Sequence, residues 1–273
     1  MRAIGTASLV IVTSLGLGCS ALPDSAAPKG GVVAASELDD SDVIPYRALT
    51  RADFRGTSVP GPFAAVADRV GAATCGQVRT TDDTQIFVQG VTPPGGETRY
   101  FAKVKRLRFR ALMDRSCSWW NDKVAAFAPD YVLEHEQIHF ALYELGARKL
   151  NEQVEDLIED VENEGSDVES VQAHAEGAIN GALEDAVGEI LDQNREFDED
   201  TSLGYQPARQ KEWLSRVTAR LAETERWASR ERRPHTDSTP PVVGPEDGRT
   251  GVLSVMVGSR VACGSVSHAR TSR

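Results

Sequence analysis

The sequence predicts an α+β fold in which an N-terminal antiparallel β region is followed by long helices. The β region is indicated by two runs of strand-forming residues, 85–88 and 101–112, on either side of a turn at 92–96. The helices are indicated by apolar residues that recur about every three to four positions after Pro129. With 273 residues, of which 40% are hydrophobic, the chain can form one core of ordinary size.

The run 101–112 alternates between apolar and basic side chains, which is typical of a strand with one buried face. Together with 85–88 it predicts an antiparallel hairpin whose outer face is basic. The alternating residues are Leu107, Phe109 and Ala111 on the apolar face and Arg106, Arg108 and Arg110 on the basic face.

Three helices are expected in the second half of the chain. The first covers about 130–161, and the glycine-containing break at 165–167 separates it from a second helix over about 167–195. A third covers about 207–230. The second helix carries a narrow apolar stripe that predicts burial, formed by Val171, Ala175, Ala178, Ile179, Ala182, Ala186 and Ile190.

Residues 1–19 predict an export signal, because the charge of Arg2 is followed by an apolar run too short for a transmembrane helix. The end of this segment, Leu15-Gly16-Leu17-Gly18-Cys19, resembles the lipobox of bacterial lipoproteins, whose cysteine is lipidated and anchors the chain to a membrane. Lipoboxes usually carry a large aliphatic residue where this chain has Gly16. A simple cleaved signal peptide, with a periplasmic or secreted product, is therefore the alternative.

The remaining chain divides by composition. Residues 20–43 are rich in Ala, Gly, Ser, Pro and Asp without a regular period, and they predict a flexible linker. Residues 44–230 form the expected folded domain. Residues 231–273 predict a disordered tail, in which the apolar stretch 252–257 has no evident place in the core.

Charge and cysteine content limit the partners and the compartment. The chain has 41 acidic and 30 basic residues, a net charge of −11, which disfavours binding to nucleic acids. If Cys19 is lipidated, Cys75 and Cys117 are the pair favoured for a disulfide within the domain, and Cys263 is left over. Spacing does not fix connectivity, so another pairing or a reduced pair stays open.

The residues that indicate a chemical function lie in the pentapeptide His135-Glu136-Gln137-Ile138-His139. Residues four apart lie on one face of a helix, so His135 and His139 can bind one Zn²⁺ together. In enzymes with this motif the carboxylate does not bind the metal and instead takes a proton from water, the role expected for Glu136. A pair of surface histidines beside a glutamate is the alternative, and the apolar residues around the motif disfavour it.

Catalytic zinc sites normally have three protein ligands, so one more donor is required. Glu144 lies on the far side of the helix from His135 and is excluded. His174 stands beside the apolar stripe of the second helix, where it is either a ligand or a histidine on the helix flank.

Five segments of the chain together match the pattern of a known family. They are Leu49-Thr50-Arg51-Ala52-Asp53-Phe54-Arg55-Gly56, Ser118-Trp119-Trp120, the motif from Leu133 to Phe140, Ala147-Arg148-Lys149-Leu150, and Phe197-Asp198-Glu199-Asp200-Thr201-Ser202-Leu203-Gly204 with Gln210 and Trp213. In these segments the chain resembles the DUF922 family of bacterial proteins, which are predicted to be secreted zinc-dependent proteases. The resemblance covers about residues 45–220 and implies a zincin-like metalloprotease domain.

One departure from the family concerns the third ligand. The closing segment of the family has a histidine just before its glycine, where this chain has Leu203. If that histidine is the third ligand, Asp198 or Asp200 can substitute as an oxygen donor. Asp198 matches the family pattern and is favoured over Asp200 and His174, while a helix-terminal or turn carboxylate is the alternative for both aspartates.

These observations predict a zinc-dependent metalloprotease of the cell envelope that hydrolyses peptide bonds in a protein or peptide substrate. The alternative is a catalytically degenerate envelope lipoprotein that acts as a binding or structural module, with Leu203 marking a weakened metal site. A third hypothesis is an envelope scaffold whose acidic helices bind a partner protein and whose histidine pair is incidental.

Overall fold

The computed structural model describes residues 42–229 and two short strands at 253–255 and 261–262. The predicted export signal, the lipidation site Cys19 and nearly all of the linker lie outside the described residues, as does Cys263. None of the helices within 42–229 is both long and apolar enough to cross a bilayer.

The β region is antiparallel, as the sequence predicts, and its strands form two four-stranded sheets and one two-stranded sheet. The sheet orders are β1-β6-β3-β10, β8-β5-β4-β9 and β2-β7. The strands are β1 (Val43–Pro45), β2 (Ala72–Ala73), β3 (Gly76–Thr80), β4 (Gln85–Val91), β5 (Arg99–Arg106), β6 (Phe109–Asp114), β7 (Trp119–Trp120), β8 (Glu164–Gly165), β9 (Leu253–Val255) and β10 (Val261–Ala262).

The expected hairpin is present, because β4 and β5 pair antiparallel in a register that matches Val88 with Ala102. The run 101–112 is not one strand, however. The chain leaves one sheet after Arg106 and enters the other at Phe109, so β5 and β6 lie in different sheets. The predicted alternation survives this change of sheet, since Leu107 and Phe109 are buried on either side of the exposed Arg108.

Two segments of the predicted disordered tail pair with these sheets. Strand β9 lies antiparallel to β4, and β10 lies antiparallel to β3. The apolar stretch 252–257 had no evident place in the predicted core, and the structure places 253–255 of it at the edge of the second sheet. The other residues of 230–273 lie outside the described part of the chain.

The helices follow the predicted order with different ends. The first predicted helix is divided at Gln153, and the second continues to Thr201 instead of ending near Arg195. The third ends at Glu223, before the predicted end near Arg230. The helices are α1 (Asp122–Ala125), α2 (Pro129–Glu152), α3 (Val154–Val161), α4 (Val168–Thr201) and α5 (Pro207–Glu223).

Helix α2 is the centre of the fold. It packs on β3 and β6 on one side and on α4 and α5 on the other. Its buried face includes Phe140 and Tyr143, whose side chains are fully covered. A disulfide joins Cys75 to Cys117, the pair that the sequence favours, and ties the start of β3 to the segment before β7.

Candidate metal centre

His135 and His139 project from the buried face of α2. The helix begins at Pro129, whose fixed backbone angle suits the first helical position, and it continues without interruption through the motif. One helical turn separates the two imidazoles, and their Nε2 atoms lie 3.2 Å apart. Both side chains are buried, with residue exposures of 8% and 4%.

Asp198 completes a cluster with the two histidines. It lies in the last turns of α4, and its Oδ1 atom is 3.2 Å from Nε2 of His135 and 3.1 Å from Nε2 of His139. Within the described residues, these three form the one group of histidine, cysteine and carboxylate side chains close enough to hold a metal ion together. The structure thus brings together the two motif histidines and the aspartate that the sequence favours as third ligand.

The cluster fits a metal ion in both chemistry and dimensions. Two imidazole nitrogens and one carboxylate oxygen are a donor set used by catalytic zinc sites. The three atoms form a nearly equilateral triangle with sides of 3.1–3.2 Å. Tetrahedral bonds of about 2.0–2.1 Å would separate ligand atoms by about 3.3–3.4 Å, so an ion could be held after a shift of about 0.2 Å.

Two buried amides orient the imidazoles. Nδ1 of His139 donates to Oδ1 of Asn194 at 2.6 Å, and Nδ1 of His135 donates to Oε1 of Gln210 at 3.1 Å. Both amides are completely buried. When both rings are neutral, each proton is held at Nδ1 and both Nε2 atoms present lone pairs to the cluster, which is the arrangement that metal binding requires.

The amides are themselves fixed by other hydrogen bonds. Asn194 donates from Nδ2 to the carbonyl of Ile190 at 2.7 Å, so its oxygen is turned towards the imidazole. Gln210 donates from Nε2 to the carbonyl of Tyr131 and to Glu134. Behind the rings, Phe197 stacks on His135 with ring centres 4.4 Å apart. The orientation of the two imidazole rings is therefore set by hydrogen bonds and packing from side chains on helices.

The histidine and aspartate side chains of the cluster shift each other's pKa values. Burial lowers the pKa of His139. The carboxylates of Asp198 and Glu136 and the hydrogen bond with Asn194 outweigh this effect and raise the pKa to about 9. Burial raises the pKa of Asp198, but the two imidazoles lower it well below the usual aspartate range. At neutral pH, His139 therefore carries a proton that it shares with ionised Asp198, and a metal ion has to displace this proton.

Glu136 follows His135 on the helix and points towards the same region. Its side chain is 3% exposed, and Oε2 accepts a hydrogen bond of 2.7 Å from the hydroxyl of Thr74. Thr74 stands between β2 and the disulfide cysteine Cys75. This hydrogen bond engages one oxygen of the Glu136 carboxylate and restricts the orientation of the carboxylate plane. A restricted orientation is suitable for a general base, which must lie within reach of the proton that it removes.

The cluster opens into a cavity of about 610 Å³. His135, Glu136, His139 and Asp198 line its buried end, and the segment 71–74 lines one side. A cavity of this size can hold several residues of a peptide or an organic molecule of moderate size. The three donor residues therefore border the cavity although each of them is buried.

The other candidates lie outside the cluster. His174 is exposed on α4, and its ring contacts the carbonyl of Asp160. Asp200 is exposed and accepts a hydrogen bond from the indole of Trp213. Leu203 lines the cavity without offering a donor atom. Glu144 forms a buried ion pair with Arg148, away from the histidines.

Thr74 and Asn194 were missed by the sequence analysis, and Gln210 was noted there only for its place in a family segment. Thr74 precedes Glu136 by 62 residues, and no local pattern links the two. Asn194 had a weak signal, since it lies four residues after Ile190 and so continues the apolar stripe of its helix. A polar residue in such a stripe is a candidate for buried hydrogen bonding.

Comparisons of the chain with protein-family models, with curated proteins and with solved structures find no match. The resemblance to the DUF922 family therefore stays a prediction.

Proposed function

We propose that this protein is a zinc-dependent metalloprotease in which His135, His139 and Asp198 hold the metal and Glu136 is the general base. The observation that carries the proposal is the triangle of three buried donor atoms, 3.1–3.2 Å apart, with a buried carboxylate beside it at the inner end of a cavity. Three protein ligands leave a position for water, as catalytic zinc sites require.

The choice of zinc depends on Glu136 as well as on the ligands. Two histidines and one carboxylate also bind iron in oxygenases, so the donor set by itself is compatible with both metals. A hydrolase needs a base beside the metal, whereas an oxygenase needs open coordination positions for oxygen and its cosubstrate. The oriented carboxylate of Glu136 therefore favours hydrolysis and zinc.

The residues around the cluster supply the remaining chemistry. When bound, zinc would polarise the substrate carbonyl and lower the pKa of a coordinated water towards 7. Glu136 takes a proton from the attacking water and passes it to the departing amine nitrogen, as a new carbon–oxygen bond replaces the carbon–nitrogen bond. Thr74 holds the base in place through its hydroxyl.

An extended polypeptide is the substrate that this cavity fits. Strand β2 is paired with β7 on one side, and no other strand of the described chain pairs with β2. Both residues of β2 line the cavity. A peptide in the cavity beside β2 would gain main-chain hydrogen bonds in the same way as an added strand, beside the proposed metal ligands.

The disulfide between Cys75 and Cys117 supports a site of action outside the cytoplasm, because such bonds persist in oxidising compartments. With the predicted export signal and Cys19, it favours a protease of the cell envelope that is tethered to the membrane by a lipid. The acidic net charge of −11 disfavours nucleic acid as a partner.

The test replaces the base while leaving the ligands intact. In Glu136→Gln, zinc content is expected to stay at the wild-type level while hydrolysis of a fluorescently labelled, unfolded protein falls by about 10²–10⁴-fold. The matched control is Glu152→Gln, an exposed glutamate at the end of the same helix, which is expected to keep full activity. Zinc-loaded wild type without hydrolysis, or Glu136→Gln with wild-type rates, would contradict the proposal.

A further inference from the structure

One wall of the cavity, which includes Ala73 of β2, is apolar. Phe63, Val70 and Ala73 form a small cluster of buried side chains that is separate from the two larger cores, and Leu203 packs against it. All four residues line the cavity that contains the metal cluster. An apolar surface that is exposed to a cavity and rimmed by polar groups is typical of a ligand site.

Leu203 is held in this wall by an unusual backbone. Its φ is +57° and that of the preceding Ser202 is +51°, which is a left-handed conformation that costs about 1–3 kcal/mol for a residue other than glycine. The amide of Leu203 donates to the carbonyl of the ligand residue Asp198 at 2.8 Å. The turn that ends α4 therefore places the Leu203 side chain at a fixed position relative to the metal cluster.

Apolar surface continues towards the mouth of the cavity. Among the described residues, the exposed large hydrophobic side chains are Val91, Phe127 and Tyr205, and the last two line this cavity. Phe127 is 91% exposed. Charged lining residues other than Glu136 and the metal cluster, which are Asp68, Arg69 and Lys123, are exposed to solvent. The cavity therefore combines an apolar inner wall with both apolar and charged side chains that are exposed to solvent.

We propose that this wall is the specificity pocket of the protease, that it accepts a hydrophobic side chain of a peptide lying along β2, and that Leu203 decides this preference. The inference rests on the proposed function. A charged or amide side chain placed there would lose its hydration without gaining a partner, whereas an aliphatic chain would bury apolar area against Phe63 and Leu203.

The experiment measures peptide binding to the full-length, zinc-loaded Glu136→Gln protein, in which turnover is prevented. The probes are two blocked, fluorescently labelled heptapeptides of serine and threonine, one with a central leucine and the other with a central asparagine. We expect the leucine peptide to bind about tenfold more tightly, the lower end of what a hydrophobic pocket discriminates.

Leu203→Asn is the decisive variant, because asparagine has nearly the shape of leucine and tolerates a positive φ. It is expected to reduce the preference to less than about threefold, and Val91→Asn, an exposed apolar position outside the cavity, should keep it. If the Leu203→Asn protein does not fold, Leu203→Gly replaces it in the test, with the same expected loss of preference. Equal binding of both peptides, no binding of either, or a preference that survives in the Leu203 variants would overturn the proposal.

Zinc content separates the two proposals. If the wild-type chain binds no zinc, the proposed function fails, and the same pair of peptides then tests the apolar wall in the metal-free protein. If zinc is present and the preference is absent, only the specificity pocket is wrong.

Discussion

The proton that His139 shares with Asp198 connects metal binding to pH at the scale of single residues. His139 has a raised pKa of about 9, so without metal it is protonated across the neutral range. The pKa of Asp198 is lowered, so this carboxylate is already ionised and releases no proton. Zinc binds a neutral imidazole, and each ion that enters must therefore displace one proton from His139.

Zinc affinity is accordingly expected to increase with pH. Below about pH 9 the apparent association constant should increase about tenfold per pH unit, and it should level off above that value. The stability that the ion pair contributes to the metal-free protein has the opposite trend, being complete below the ordinary histidine pKa of about 6.5 and lost as the pH rises through about 9. Competition with a chelator from pH 6 to 8.5 measures the affinity, and a constant value over that range would contradict the assignment.

The sequence predicted the residues whose roles follow from helical spacing. His135 and His139 could be paired because residues four apart share a face, and Glu136 followed from the motif. Asp198 was favoured, but the alternatives could be separated only by tertiary structure. Thr74 could not be predicted, and Asn194 had only the weak signal of a polar residue in an apolar stripe, because they lie 62 and 55 residues away from the side chains that they contact.

At the scale of elements, the close approach of α2 and α4 brings His135, His139 and Asp198 together. Gly146 of α2 allows this approach, since a Cβ atom there would lie 2.3 Å from Cδ1 of Ile190. Ile190 is 1% exposed, and its carbonyl accepts the hydrogen bond that orients Asn194. A change at Gly146 would therefore act on both the packing of the helices and the geometry of the site.

Two glycine substitutions test this packing. Gly146→Ala is expected to lower the free energy of unfolding by about 1–3 kcal/mol through overpacking, and to weaken zinc binding. Gly177→Ala is the matched control in α4, where a Cβ atom meets nothing within 4 Å, and it should raise stability by about 0.5–1 kcal/mol through helix propensity. Urea denaturation measures both. A Gly146→Ala protein as stable as wild type would contradict the expected overpacking between α2 and α4.

The β region and the long helices that follow it could be predicted, but the short strands, the short helix α1 and several boundaries could not. Helix α4 continues to Thr201 although 196–200 is mostly acidic, because Phe197 and Asp198 are directed inwards while their neighbours face solvent. The run 101–112 alternates correctly and yet changes sheets after Arg106. Periodicity reports which face of a segment is buried, whereas the choice of sheet depends on distant strands.

At the scale of the whole molecule, the disulfide joins two parts of the β region that flank the site. Cys75 and Cys117 are separated by 42 residues. Cross-linking a loop of this length is expected to stabilise the protein by about 2–4 kcal/mol, mainly by restricting the unfolded chain.

Replacing both cysteines by serine tests this contribution. Cys75→Ser combined with Cys117→Ser should lower the midpoint of urea unfolding, and zinc should still bind because the ligands are held by α2 and α4. Adding a reductant to the double variant is the control and should change nothing further. A midpoint equal to that of the oxidised wild type would contradict the expected stabilisation.

Zinc content per chain, measured by elemental analysis of the purified protein, tests the central claim most directly. We predict about one zinc ion per chain in the wild type and in the controls His174→Ala and Asp200→Asn, which alter the other candidate ligands. Asp198→Asn preserves the shape of the side chain and removes its charge, and it should hold almost no zinc. A wild type without zinc, or an Asp198→Asn protein with the wild-type amount, would contradict the account.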